Sequence, residues 1–212
     1  MEKLTVADII GMVDAMSEVI IKNEVAFCEL DSAAGDGDFG MSLAKGFKEL
    51  KKQWSELVAE ENIGAFLKAC GMIITEHCGG ASGPIWGSAF RAAGKYALGK
   101  TELDLREFGE LMQTAVDGIQ KTGGAQLGDK TLLDALIPSV ESLKSSALSG
   151  GELCSAMKLS AKEAVLGAEK TKDYVAKKGR ASYLGERSIS YPDAGATAIG
   201  IIFTYITDKF CS

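Results

Sequence analysis

Apolar residues in this chain recur at helical spacing, and nowhere do they alternate in the period-two manner of a half-buried strand. Val6, Ile9, Ile10, Val13, Met16 and Ile20 form one stripe, opened by Thr5 with Asp8 in a capping-box position. Ile63, Phe66, Leu67, Cys70, Ile73 and Ile74 form a second. A third (Leu105, Phe108, Met112, Ala115, Val116 and Ile119) starts from Asp104 with Glu107 three residues on. Weaker helical windows cover 41–54, 84–98, 132–147, 152–171 and 195–208. Pro84 falls in the first turn of its window, where the missing N–H has no ladder partner to lose. Pro138 lies inside its own window and should kink it or move its start. Eight helices of two to five turns with short connections predict an all-α bundle or barrel in one domain, residues 1–212.

A composition of 46% apolar and 25% charged residues is that of an ordinary soluble globular chain. The formal charge of −6 and the lack of any polybasic block argue against nucleic acid and anionic membrane as partners. Glu2, Lys3, Asp8 and Asp14 leave no room for a signal-peptide core. The longest uncharged apolar stretch, Ala194 to Thr207, is too short to span a bilayer. A cytoplasmic location is therefore expected. The five cysteines (Cys28, Cys70, Cys78, Cys154, Cys211) are odd in number and widely spaced, with no CxxC, and read as reduced thiols. The single histidine, His77, excludes zinc sites built on two or three histidines. It neighbours Cys78, but adjacent helical residues do not face one another, so the pair reads as structural.

Glycine, 25 of 212 residues, concentrates in the connections. The richest connection is DSAAGDGDFG at 31–40, just before a helical window. Gly35, Gly37 and Gly40 formally satisfy GxGxxG. No strand pattern precedes them, however, and Asp36 and Asp38 would push carboxylates at a phosphate, which excludes a dinucleotide fingerprint. An EF-hand frame from Asp38 to Glu49 fails because Gly40 and Ser42 replace acidic ligands and Leu43 stands where glycine is needed. Three carboxylates in eight residues do suit Mg²⁺, which takes hard oxygen ligands and shares itself with substrate phosphates. Asp36 and Asp38 would share one face of a regular strand, Gly35 and Gly37 would let the backbone bend around an ion, and Asp31 could close from the other side. The plainer alternative is a polar turn in which an aspartate caps the next helix.

Four more connections carry possible ligand contacts. GGASGP at 79–84 exposes backbone N–H groups at a helix start, which suits phosphate, or is a tight helix–helix turn. GGAQLGDKT at 123–131 resembles a phosphate-binding P-loop, but Asp129 is inserted before Lys130 and no strand precedes it. Thr131 then reads as a cap for the next helix with Asp134, and Lys130 is left to supply charge near a nucleotide. GRASYLGERS at 179–188 presents Arg180 and Arg187 for phosphate, or for a surface ion pair with Glu186. Asp193, before the last apolar window, is a helix cap or a ligand contact.

Taken in order, Asp31 with GDGD and its following glycine, GGASGP, GDKT, GRASYLGERS and the Asp193-Ala-Gly195 run resemble one family over roughly Thr5 to Thr207. It is the nucleotide-binding L subunit of dihydroxyacetone kinases, and at this length the free-standing subunit of the phosphotransferase-system type. The resemblance implies an eight-helix up-and-down barrel with the nucleotide at one end. It implies that Asp31, Asp36 and Asp38 hold two Mg²⁺ ions bridging the phosphates of ADP or ATP. Phe39, Gly40, Met41, Ser42, Gly80, Ala81 and Ser82 match phosphate contacts; Gly123, Leu132, Arg180, Asp193, Ala194 and Gly195 match the rest of the nucleotide pocket. The acceptor ketone would sit on a histidine of a separate K subunit, and a phosphocarrier M subunit would recharge the bound ADP. No catalytic residue is expected on this chain beyond the metal ligands. Two positions depart from the family pattern: Phe39 replaces a histidine, and a phenyl ring donates no hydrogen bond, while Ala194 stands where proline is common. A related ketose or polyol as acceptor for free ATP, or a nucleotide-dependent regulatory module read by a transcription regulator, are the alternatives.

Overall fold

The strongest apolar stripes all become helices that begin where a capping side chain stands. The computed structural model describes residues 3–211. Thr5 accepts from the Asp8 N–H while Asp8 reaches back to the Thr5 N–H, opening α1 (Val6–Lys22). Asp104 and Glu107 make the same reciprocal pair at α7 (Leu105–Gly123). Asn62 accepts from Ala65 N at the start of α5 (Ile63–His77). The weaker windows are helical too: α3 (Phe39–Lys52), α6 (Ser82–Tyr96), α8 (Leu133–Leu148), α9 (Leu153–Lys170) and α10 (Ala194–Phe210). Beyond the expected eight lie α2 (Glu24–Ser32), a single turn α4 (Trp54–Leu57), and 3-10 turns at Thr171–Asp173 and Arg180–Ser188. A two-residue antiparallel pair, β1 (Leu4–Thr5) with β2 (Glu102–Leu103), is also unforeseen, being too short to show alternation.

The eight long helices pack in a closed cycle: α1 on α3, then α5, α6, α7, α8, α9 and α10, which returns to α1. Their apolar stripes meet in one contiguous core, with α2 laid against α3. The ring's centre is incompletely filled and keeps an apolar cavity of about 170 Å³ between Met12, Trp86, Phe90, Leu111, Met157 and Ile202. Pro138 lies within α8 without moving its start. It removes the ladder donor for the Asp134 carbonyl, and Gly167 of α9 packs so closely there that a Cβ would strike that oxygen.

The starts of α1, α5 and α7 lie together. Val6 N donates to Thr101 O at 3.1 Å and Ile63 N to Lys100 O at 2.9 Å, beside the β1–β2 pair. The starts of α3, α6, α8 and α10 meet at the other end, described below. One expectation is corrected here: Cys154, in the first turn of α9, and Cys211, just past α10, form a disulfide. The packing of α9 on α10 brings the start of one against the end of the other, a proximity that cysteine count and spacing do not reveal. Cys28, Cys70 and Cys78 are free thiols. No helix among the described residues is long and apolar enough to cross a membrane.

Candidate metal centre at one end of the helix ring

Asp31 sits in the last turn of α2, and the chain then reverses in seven residues to enter α3. Gly37 makes the reversal possible: its φ of +75° is left-handed, and its N–H donates to Asp31 Oδ2 at 2.9 Å. Asp38 occupies the N-cap position of α3 yet makes no side-chain capping bond, so its carboxylate is left free. The extended segment expected for Asp36 and Asp38 is not formed; the left-handed glycine between them turns the chain instead. The convergence survives. One oxygen from each of Asp31, Asp36 and Asp38 lies within 4.8 Å of the others.

Three carboxylates this close repel unless something positive stands among them. Burial pushes the Asp31 carboxyl above its ordinary value, and Asp36 and Asp38 push the same way; the Gly37 and Phe39 N–H groups oppose this. An all-carboxylate donor set of this spacing fits Mg²⁺, which prefers a few carboxylates and completes its shell with water or phosphate oxygen. Arg180 supplies one positive partner, forming an ion pair with Asp36 across the end of the ring.

The surrounding elements are drawn tightly together. Gly40 lies so close to α2 that a Cβ would strike Glu24 O and Cys28 N, and Met41 N donates to Cys28 Sγ at 3.2 Å. Phe39 packs on Phe27 with ring centroids 6.0 Å apart. Gly79 N donates to Ser42 O at 3.1 Å, which sets the start of α6 beside that of α3. Gly80 is left-handed (φ +52°) with open space around it, Ala81 is exposed, and Ser82 opens α6. Neither α3 nor α6 carries a side-chain cap. Phe39 N already serves Asp31, Met41 N serves Cys28 Sγ and Ser82 N donates to Gly79 O at 3.1 Å, so only the remaining first-turn N–H groups are open to an anion. Gly123 ends α7 against Ile85 of α6, and Leu132, just before α8, packs on Gly195. Asp193 caps α10 through Ala196 N at 2.8 Å, next to Ala194 and Gly195. Burial pushes its carboxyl up to about 7; the Ala196 N–H and Lys130 pull it down, while Asp134 and Asp31 push it further up.

Lys130 turns into the protein. Its side chain is buried, and Nζ donates to Thr171 O at 2.6 Å, Tyr174 O at 3.2 Å and Tyr191 O at 2.7 Å. A lysine with all three donors engaged offers none to a nucleotide. No sequence signal marks this, because its acceptors are backbone carbonyls 41 to 61 residues away. Thr131 and Asp134 do act at the α8 start: Thr131 Oγ1 accepts from Leu133 N, and Asp134 accepts from Thr131 N and Gly128 N. Arg187 is exposed and, among the described residues, makes no ion pair with Glu186. Burial pushes the Cys78 thiol up to about 11, and its S–H donates to the Leu43 carbonyl at 3.5 Å.

A closed ring of helices thus gathers three convergent carboxylates, an arginine and helix starts without side-chain caps at one end, a donor set whose chemistry suits a divalent cation accompanied by an anion. Residues 33–208 match the DAK2 domain, and the chain belongs to that family. It is 39% identical over 197 residues to the Listeria innocua PEP-dependent dihydroxyacetone kinase 2, ADP-binding subunit DhaL, covering 92% of this chain and 90% of that one. It is 34% identical over 197 residues to the D-erythrulose kinase of Mycolicibacterium smegmatis, covering 92% of this chain and 34% of that longer enzyme. The structure superposes on the dihydroxyacetone kinase of C. freundii with a TM-score of 0.75 and 25% identity, over 96% of this chain and 34% of that one.

Proposed function

We propose that this chain is the ADP/ATP-binding subunit of a phosphoenolpyruvate- and phosphotransferase-system-dependent dihydroxyacetone kinase, acting in the cytoplasm as one domain. The observation that carries the reading is the convergence of Asp31, Asp36 and Asp38 opposite Arg180. The similarity to ADP-binding subunits along nearly their whole length supports it.

In this reading the three aspartates hold two Mg²⁺ ions. The starts of α3 (Phe39, Gly40, Met41, Ser42) and of α6 (Gly80, Ala81, Ser82) line the phosphates, with the serine hydroxyls and the N–H groups not already bonded within the fold, such as that of Gly40, as donors. Gly123, Leu132, Asp193, Ala194 and Gly195 wall the nucleoside. When bound, the metal neutralises charge on the transferring phosphoryl group. Phosphoryl transfer depends chiefly on positioning and charge, so these residues need supply no general base. Arg180 leaves Asp36 and pairs with the phosphate oxygens that accumulate charge. The acceptor is held on a histidine of a separate K subunit, and a phosphocarrier M subunit recharges ADP in place.

The test is reconstitution. Purified chain, K subunit, Mg²⁺ and ATP should convert dihydroxyacetone to its phosphate; no transfer to that ketone or a related ketose defeats the reading. A second reading takes a four-carbon ketose as acceptor with exchangeable free ATP, favoured by the likeness to the D-erythrulose kinase. Comparing the two acceptors in the same assay separates them. Phe39, packed against Phe27 instead of offering a donor to phosphate, favours a third, a regulatory module read by a transcription regulator. Turnover with the K subunit excludes a solely regulatory role.

A further inference from the structure

The geometry points to Lys130 as a positioning residue: its ammonium group clasps both legs of the loop between α9 and α10 and so sets where Arg180 stands over the aspartates. The kinetic part of this inference rests on the function proposed above; the structural part does not.

Each of the three N–H donors of Lys130 has its own carbonyl. Thr171 lies at the loop's departure from α9, Tyr174 is three residues further on, and Tyr191 is on the returning leg. No carboxylate takes a hydrogen bond from it; Asp193, Asp134 and Asp173 contribute their charge from farther off, against the cost of burial. A lysine buried among carbonyls alone is an expensive way to close a loop unless the closure is needed. The backbone repeats the point. Lys130 (φ +61°) and Ser190 (φ +76°) are the only non-glycine residues with left-handed φ among those described, and both lie at this joint. Such conformations persist where the surroundings over-determine them, and they gather at functional sites.

The legs are closed further by Asp193 N on Thr171 Oγ1 at 2.8 Å, Ser190 N on Lys172 O at 2.8 Å, and Ala176 N on Ser188 Oγ at 2.9 Å. Lys177 N adds a tie to Asp129 O at 3.1 Å, with its side chain paired to the same aspartate, and beyond it the tip is held by the exposed Arg180 pairing with Asp36. The loop thus has a locked base and a releasable tip. Arg180 can exchange Asp36 for a phosphate only within the arc that the base permits, and Lys130 fixes that base.

Lys130→Met and Lys130→Gln test this in two assays. Without nucleotide, trypsin has sites in the tip at Lys177, Lys178, Arg180 and Arg187. Cleavage there should be at least about tenfold faster in the variants, with unchanged helical circular dichroism. With K subunit, Mg²⁺ and ATP, kcat should fall about tenfold or more and KM for ATP by much less, since a misplaced group costs rate before binding. In an Arg180→Ala background the Lys130 substitutions should add less than about twofold, because the residue they act through is already gone. Unchanged tip cleavage, or losses that multiply with Arg180→Ala, would overturn the proposal. So would failure of both variants to fold, which would make Lys130 a staple of the core. A wild-type chain that transfers no phosphate defeats the proposed function and leaves the proteolysis comparison to judge the clasp.

Discussion

Arg180 and Asp36 form an ion pair across the end of the ring, joining the long loop before α10 to the turn between α2 and α3. The pair ties an exposed cation of that loop to one of the three converging carboxylates. In the function proposed above, this arginine would exchange that carboxylate for a phosphate oxygen.

Arg180→Ala should therefore separate stability from activity. The arginine side chain is 64% exposed and the aspartate 32%, and exposed pairs of this kind contribute at most about 1 kcal/mol. Urea denaturation should move by no more than that. Phosphoryl transfer should fall about 100-fold, the usual loss when a charge-stabilising donor is removed.

Asp38→Asn should behave oppositely with and without Mg²⁺. The metal-free variant loses one of three mutually repelling carboxylates and no capping bond, so its melting temperature should equal or exceed that of the wild type. Adding Mg²⁺ with ADP should raise the wild-type melting temperature through binding to the native state alone. The variant should show little rise and at least about a 1000-fold loss of transfer. Thermal scans with and without the ligand pair check both halves.

Gly40→Ala places a methyl group against Glu24 O and Cys28 N of α2. Overpacking of this kind costs about 1–3 kcal/mol. Because α2 carries Asp31 and α3 starts beside Asp38, the shift should also weaken Mg²⁺ binding. A lowered urea midpoint together with a raised Mg²⁺ dissociation constant, measured by calorimetry, is the expected outcome.

Asp193 gives a pH dependence of definite sign. Its folded carboxyl is raised to about 7 by burial, against about 3.9 in an unfolded chain. Between those values the native state holds a proton that the unfolded state has lost, so this residue's contribution to stability falls as pH rises from about 4 to 7. The slope is at most about 1.4 kcal/mol per pH unit. Asp193→Asn keeps a capping acceptor and removes the titration. Subtracting the variant's pH–stability curve from that of the wild type, both without nucleotide, should expose a decline over this window.

The parts of the molecule legible in the sequence are those set by local chemistry. The eight helical windows, the Thr5–Asp8 and Asp104–Glu107 caps and the nearness of Asp31, Asp36 and Asp38 all follow from spacing along the chain. α2 escaped notice because Phe27 is its only buried residue, and one apolar residue makes no stripe. The strand geometry read for Asp36 and Asp38 is not formed, but the bend that glycine permits there is, as a left-handed φ of +75° at Gly37. The Cys154–Cys211 disulfide and the Lys130 tripod join residues 57 and 41 to 61 positions apart. Both depend on how helices pack, which a single sequence does not display.

Native mass spectrometry of the purified chain tests the central claim most directly. The expected spectrum is the chain carrying ADP and two Mg²⁺ ions, either as purified or after both are added, with Asp36→Asn and Asp38→Asn appearing as bare chain under the same conditions. A wild-type chain that takes up no nucleotide in the presence of Mg²⁺, or variants that bind it as well as the wild type, would contradict the assignment of the aspartate cluster as the metal-nucleotide site.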